Sequence, residues 1–167
     1  MHTLSLHDAL PISVDHVLRS EDDAAQDGLV FHQPDVAVDI GNLRKAIEIG
    51  ATRIINIKPG RVGGHTVAKR VHDVCAEHAI PVWCGGMLEF GIGRAHNVHL
   101  ASLPSFSLPG DVSASERYFE TEIIGEPFTV ESDGTMKVPT GPGIGVTVLE
   151  DAIRKLALQT KEYRPAR

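Results

Sequence analysis

"RIINIKPGRVGG", residues 53–64, decides the fold. Arg53-Ile54-Ile55-Asn56-Ile57 has the length and β-branched content of a buried strand, and Pro59 cannot donate to a ladder, so it closes the run. Lys58 is then the last residue of the strand, with a glycine-rich turn behind it. A charge at that point has to face either solvent or a ligand.

Working outward, the pattern alternates from about Gly41. Leu43, Ala46, Ile47 and Ile49 make a short amphipathic helix that Gly50 can cap. Beyond the turn, Val67, Ala68, Val71, Val74 and Cys75 recur at spacings of three and four, predicting a helix over 66–79. Pro81-Val82-Trp83-Cys84 is a second buried strand ending in Gly85-Gly86, a third helix spans about 93–103, and 105–108 is a third short strand. Strand and helix in alternation with short connections is a parallel α/β arrangement. In the tail, "PFTVESDGTMKVP", 127–139, alternates around Asp133-Gly134 and predicts a β-hairpin, and 148–158 a closing helix.

The 167 residues suit one domain of ordinary size, with 42% apolar side chains. A net charge of -6 without any Lys/Arg cluster argues against nucleic acid, and no apolar run is long enough for a membrane span. An anionic small molecule held by a few local cations stays open. Cys75 and Cys84 lie nine residues apart in apolar contexts, as packed thiols of a reducing compartment; the cytoplasm is the expected location.

"TLSLHDALPI", Thr3 to Ile12, looks like the translation of a sequencing adapter joined to an open reading frame. Residues 1–13 are therefore set aside from fold reasoning, residues 14–40 form a junction without a clear period, and 41–167 carry the regular pattern. On this reading the chain is a fragment.

In parallel α/β folds, functional groups collect at the C-terminal ends of strands. Lys58 is either a lysine that snorkels from a strand end or a functional amine. A lysine buried beside a divalent cation suits general acid/base work. "PGRVGG" and "CGG" place glycines directly after two adjacent strands, which fits a shared pocket floor or two tight turns. Neither is a Walker A loop, because Lys58 precedes the glycines. Glu89 and Arg94 in "GGMLEFGIGRAHN" either pair with each other or line a site, and Asp111 in "LPGDVSAS" has the same two readings, with capping at Ser113 or Ser115 as the structural one. The nine histidines show no HExxH or Cys/His ligand spacing, and no GxSxG elbow is present.

Together, "NIKPGRVGG", "HDVCAEHAIPVWCGGMLEFGIGRAHNVHLASLP" and "LPGDVSAS" resemble the C-terminal part of the o-succinylbenzoate synthase and N-succinylamino-acid racemase family, in the muconate-lactonizing branch of the enolase superfamily. The resemblance runs from about residue 40 to the end. It implies the last strands of a modified TIM barrel, whose capping domain lies upstream. It also implies that Lys58 is the acid/base lysine ending the sixth strand. Gly85, Gly86, Met87 and Glu89 would line the substrate pocket from the seventh strand, and Pro109, Gly110 and Asp111 from the eighth. The family's chemistry is abstraction of the proton α to a carboxylate on a small-molecule substrate. Mg²⁺ on three carboxylates stabilises the enediolate, and a KxK pair faces the opposite side. The whole protein is expected to be a homo-oligomer that neither binds nucleic acid nor enters a membrane.

The chain departs from that pattern upstream. The KxK pair is absent. The third metal carboxylate should lie 24 residues before Lys58, where Pro34 stands with Asp35 beside it, and in "VFHQP" His32 occupies the place of the family's glutamate. The metal ligands are expected in the missing upstream region, with Asp35 a candidate within the chain, and the isolated chain is expected to lack Mg²⁺ and turnover. Dipeptide epimerisation and muconate cycloisomerisation use the same scaffold and remain alternatives. A non-catalytic module, with the glycine turns binding an anion and Lys58 as countercharge, is the reading from another class.

Overall fold

Three parallel strands organise the chain. The computed structural model describes Thr3–Leu4, Val30–Phe31 and residues 40–163; the expectations for His32, Pro34 and Asp35 lie outside the described residues. Strands β1 (Thr3–Leu4), β2 (Val30–Phe31), β3 (Ile54–Ile57), β4 (Val82–Cys84) and β5 (Met136–Lys137) alternate with helices α1 (Ile40–Glu48), α2 (His65–Glu77), α3 (Gly91–Ala101) and α4 (Glu150–Leu156). The main sheet has the order β2-β3-β4, parallel throughout, with Val30 opposite Ile54, Ile55 opposite Val82 and Ile57 opposite Cys84.

Burial along β3 and β4 follows the strand period of two. Ile55, Ile57, Val82 and Cys84 are buried, while Ile54, Asn56 and Trp83 are half-buried on the other face. The buried face meets the helices: Leu43 of α1, Ala68, Val71, Val74 and Cys75 of α2, and Ala95 and Val98 of α3 share its core. Both cysteines are free and buried, as their apolar contexts predict. This is the expected α/β layering, a helical coat on one side of an open parallel sheet, as in the C-terminal part of a TIM barrel.

The differences from expectation have local causes. Lys58 is the first residue after β3, not its last, because the chain turns at once: Arg61 N and Val62 N both donate to Lys58 O, at 2.9 and 3.2 Å. Ile49 falls in the turn after α1 and is 64% exposed, outside the apolar stripe. The third strand reduces to one parallel bridge, Val82 with Phe106, since Phe106 N and Ser107 N bond back to Leu103 O and Ser105 O instead of extending a ladder.

The tail turns at Asp133-Gly134 as predicted: Gly134 has φ 79° and Glu131 N donates to Thr135 O at 2.8 Å. The hairpin ladder does not follow. Val130 is exposed, and β5 pairs antiparallel with Thr3–Leu4 rather than with the residues before the turn.

Candidate active site

Three connections leave the main sheet at the same end, and main-chain bonds hold their first residues together. Gly85 N donates to Ile57 O at 3.1 Å, and Asp111 N to Cys84 O at 3.3 Å. The segments starting at Lys58, Gly85 and Asp111 therefore lie side by side, continuing the sheet beyond its strands. All three pocket segments implied by the family resemblance meet here.

Glycine is required at the contacts. A β-carbon on Gly85 would come within 2.3 Å of Asn56 Oδ1, 2.5 Å of Lys58 Cε and 2.7 Å of Lys58 Cγ. Lys58 thus lies across Gly85 and is half-buried. A β-carbon on Gly110 would meet Cys84 O at 2.9 Å, and one on Gly86 would meet Asp111 O at 2.8 Å. Such distances are closer than carbon and oxygen tolerate, so the backbones can touch only because these side chains are missing.

The two acids are placed by hydrogen bonds. Asp111 Oδ1 accepts from Gly86 N; it does not cap the 3₁₀ turn at Ser115–Arg117, where no side chain caps the first residue. Glu89 Oε2 accepts from Met87 N at 2.7 Å, and its Oε1 accepts from Asn97 Nδ2 at 3.0 Å. The Glu89 carboxylate is not the partner of Arg94: Arg94 Nη1 donates to the main-chain Glu89 O at 3.1 Å, and Arg94 Nε to Ser113 O at 2.7 Å. Met87 and Leu88 project from the same loop, 39% and 71% exposed.

Buried groups around the mouth respond to this setting. Burial pushes the Cys84 thiol up to about 12, with Asp111 and Glu89 adding to it and Lys58 opposing it. Cys84 is accordingly a protonated packing residue and no nucleophile. Burial also holds the Arg94 guanidinium below its ordinary value, against the carboxylates of Glu122 and Glu89.

Three residues of this site were not found by sequence reasoning. Asn56 stands two positions before Lys58 on the same strand face, its Oδ1 buried without a hydrogen bond; the strand period could have located it. Asn97 follows Arg94 by three positions on the same helix face and is 2% exposed. Glu122 closes the start of α3 by accepting from Gly91 N at 2.8 Å, across 31 residues that carry no periodic signal.

Mg²⁺ requires several oxygen ligands in a near-octahedral set. Among the described residues no three His, Cys, Asp or Glu side chains come together to hold a metal. Glu89 has both oxygens engaged by N–H donors, and Asp111 has one. The described residues do not make a Mg²⁺ site. A separate groove of about 510 Å³ between α2 and α3, lined by His65, Lys69, Arg70, Asp73 and His99, does not include Lys58.

A lysine directly after a parallel strand, beside glycine loops that carry acids, stands at the end of the sheet where (β/α)-barrel domains gather their functional groups. The match to known families agrees: residues 35–152 fit the model described as enolase C-terminal domain-like, and the chain belongs to that family. It is 62% identical over 108 residues to an N-succinylamino acid racemase of an Amycolatopsis species, covering 65% of this chain and 29% of that protein. It is 49% identical over 138 residues to the o-succinylbenzoate synthase of Geobacillus kaustophilus, covering 83% and 32%. Among solved structures, an enolase-superfamily member from Listeria innocua superposes with a TM-score of 0.66 at 45% identity, over 70% of this chain and 31% of that one. The chain spans about a third of the length of the curated relatives it matches. No helix among the described residues is long and apolar enough to cross a membrane.

Proposed function

We propose that this chain is the lysine-bearing C-terminal part of the barrel of an o-succinylbenzoate synthase or N-succinylamino-acid racemase. Its substrate is a small carboxylate whose α-proton is removed. Lys58 as a free amine takes that proton; the electron pair of the broken C–H bond moves into the adjacent carboxylate, giving an enediolate to which the partner base gives a proton on the opposite face, leaving Lys58 as an ammonium. In the dehydration, the same ammonium serves as a positive charge beside the developing anion. Gly85, Gly86, Met87 and Glu89 on one side, with Pro109, Gly110 and Asp111 on the other, hold the remainder of the substrate. The partner base and any divalent cation come from outside the described residues.

The observation that carries this reading is the placement of Lys58 across Gly85, between its own turn and the loop that ends at Glu89. Relatives of both names, at 62% and 49% identity, support the reaction class. The test uses the complete protein, following α-proton exchange of N-succinyl amino acids in D₂O and formation of o-succinylbenzoate. Lys58→Ala should lower turnover by about 10²–10⁴-fold with an unchanged thermal midpoint. Turnover of Lys58→Ala equal to that of the parent would remove Lys58 from the chemistry and sink the proposal.

A further inference from the structure

Arg94 is 1% exposed and is the largest fully buried side chain among the described residues. Two of its nitrogens reach carbonyls on different loops, Glu89 O after β4 and Ser113 O after the Phe106 bridge. Its third nitrogen, Nη2, is buried without a hydrogen-bond partner. One turn further along α3, Asn97 grips the Glu89 side chain through Oε1, while Glu89 Oε2 fixes Met87 N. At the rim the same two loops meet again, Gly86 N donating to Asp111 Oδ1.

A buried guanidinium is an expensive way to fill space, and an apolar residue of similar volume often does so as well or better. What an apolar side chain cannot do is hold two carbonyls of separate loops at a fixed distance. The planar fork of arginine can, because its N–H groups point in set directions. The lysine ammonium is a single point, able to reach one carbonyl well but not both in that geometry.

We infer that Arg94 is a positioning residue: it sets the width between the Met87–Glu89 and Asp111–Ser113 walls of the mouth and so selects the part of the substrate remote from the reacting carbon. This rests on the proposed function above. Lys58 leaves the neighbouring strand and packs against Gly85, and neither carbonyl held by Arg94 belongs to it, so the chemistry at carbon should be less sensitive to Arg94 than substrate binding is.

The experiment compares Arg94→Lys and Asn97→Ala with the parent in the complete protein, by amide hydrogen exchange and by steady-state kinetics. For Arg94→Lys, exchange should accelerate in 86–89 and 111–113 together, with α3 still protected. KM for the N-succinyl substrate should rise about tenfold or more while kcat falls less. Asn97→Ala should loosen 86–89 alone, since its bond reaches only Glu89. Loosening of only one loop by Arg94→Lys, or equal losses in kcat and kcat/KM, would overturn the inference. If the parent itself turns over no N-succinyl substrate, the functional reading fails, and joint or separate loosening of the two loops still decides whether Arg94 couples them.

Discussion

Residues 40–113 and residues 114–163 are held together by different means. The first stretch is a sheet with helices on it, and its buried side chains recur with the strand and helix periods. The second adds only Ile124, Phe128 and Met136 to the apolar side chains buried in that same core, and its helix α4 has no buried residue. Side chains bonded to main chain take over there. Ser115 Oγ accepts from Phe128 N at 2.9 Å, Asp133 Oδ1 accepts from Thr135 N at 3.0 Å, and Glu126 Oε2 accepts from Thr147 N at 2.7 Å. A periodic core spreads stability over many contacts, whereas a chain of caps concentrates it in a few bonds.

That contrast can be broken by substitution. In urea unfolding, Ile57→Ala, at a fully buried site, should cost about 2–5 kcal/mol, while Ile153→Ala on α4 should stay within about 0.5 kcal/mol. Equal losses would mean that α4 is packed as the sheet helices are. Ser115→Ala should cost about 1–3 kcal/mol, because it strands a buried N–H; it should loosen 114–128 in hydrogen exchange and leave α2 unchanged.

The smallest effect is with pH. Burial first, then His65 and His99, lower the His96 value from 6.5. The unfolded chain therefore binds this proton before the folded one does. The contribution of His96 is fully present above about 6.5 and is lost as pH falls through that value toward the lowered one. Urea midpoints should drop slightly between pH 7.5 and pH 5.5, and His96→Gln should flatten the slope. A slope unchanged in His96→Gln assigns it to other groups.

The same division explains what could be read from sequence. β3, α2 and the turn at Lys58-Pro59 were legible because a β-branched run, a three-and-four spacing and a proline act locally. The third strand was overestimated, since Phe106 has apolar character but its neighbours turn back on themselves. Lys58 and Gly85 follow from their strand ends, while Asp111 joins them only through the family resemblance; main-chain bonds set the three segments side by side. Arg94 was seen as a charge near Glu89, but its role depends on Ser113 O, which no local pattern reveals. Glu122 was missed for the same reason. In the tail, the Asp133-Gly134 turn and the closing helix, expected over 148–158 and found as Glu150–Leu156, had a local code.

The bare backbones of Gly85, Gly86 and Gly110 have a consequence for how such a protein can change. With those contacts already at the limit of approach, the floor of the mouth admits almost no variation in side-chain size. Met87 and Leu88 at the rim, 39% and 71% exposed, are under less restriction. Variation in side-chain size is open at that lip while the glycine frame stays as it is, so related proteins can share one floor and still differ in the shape of the rim.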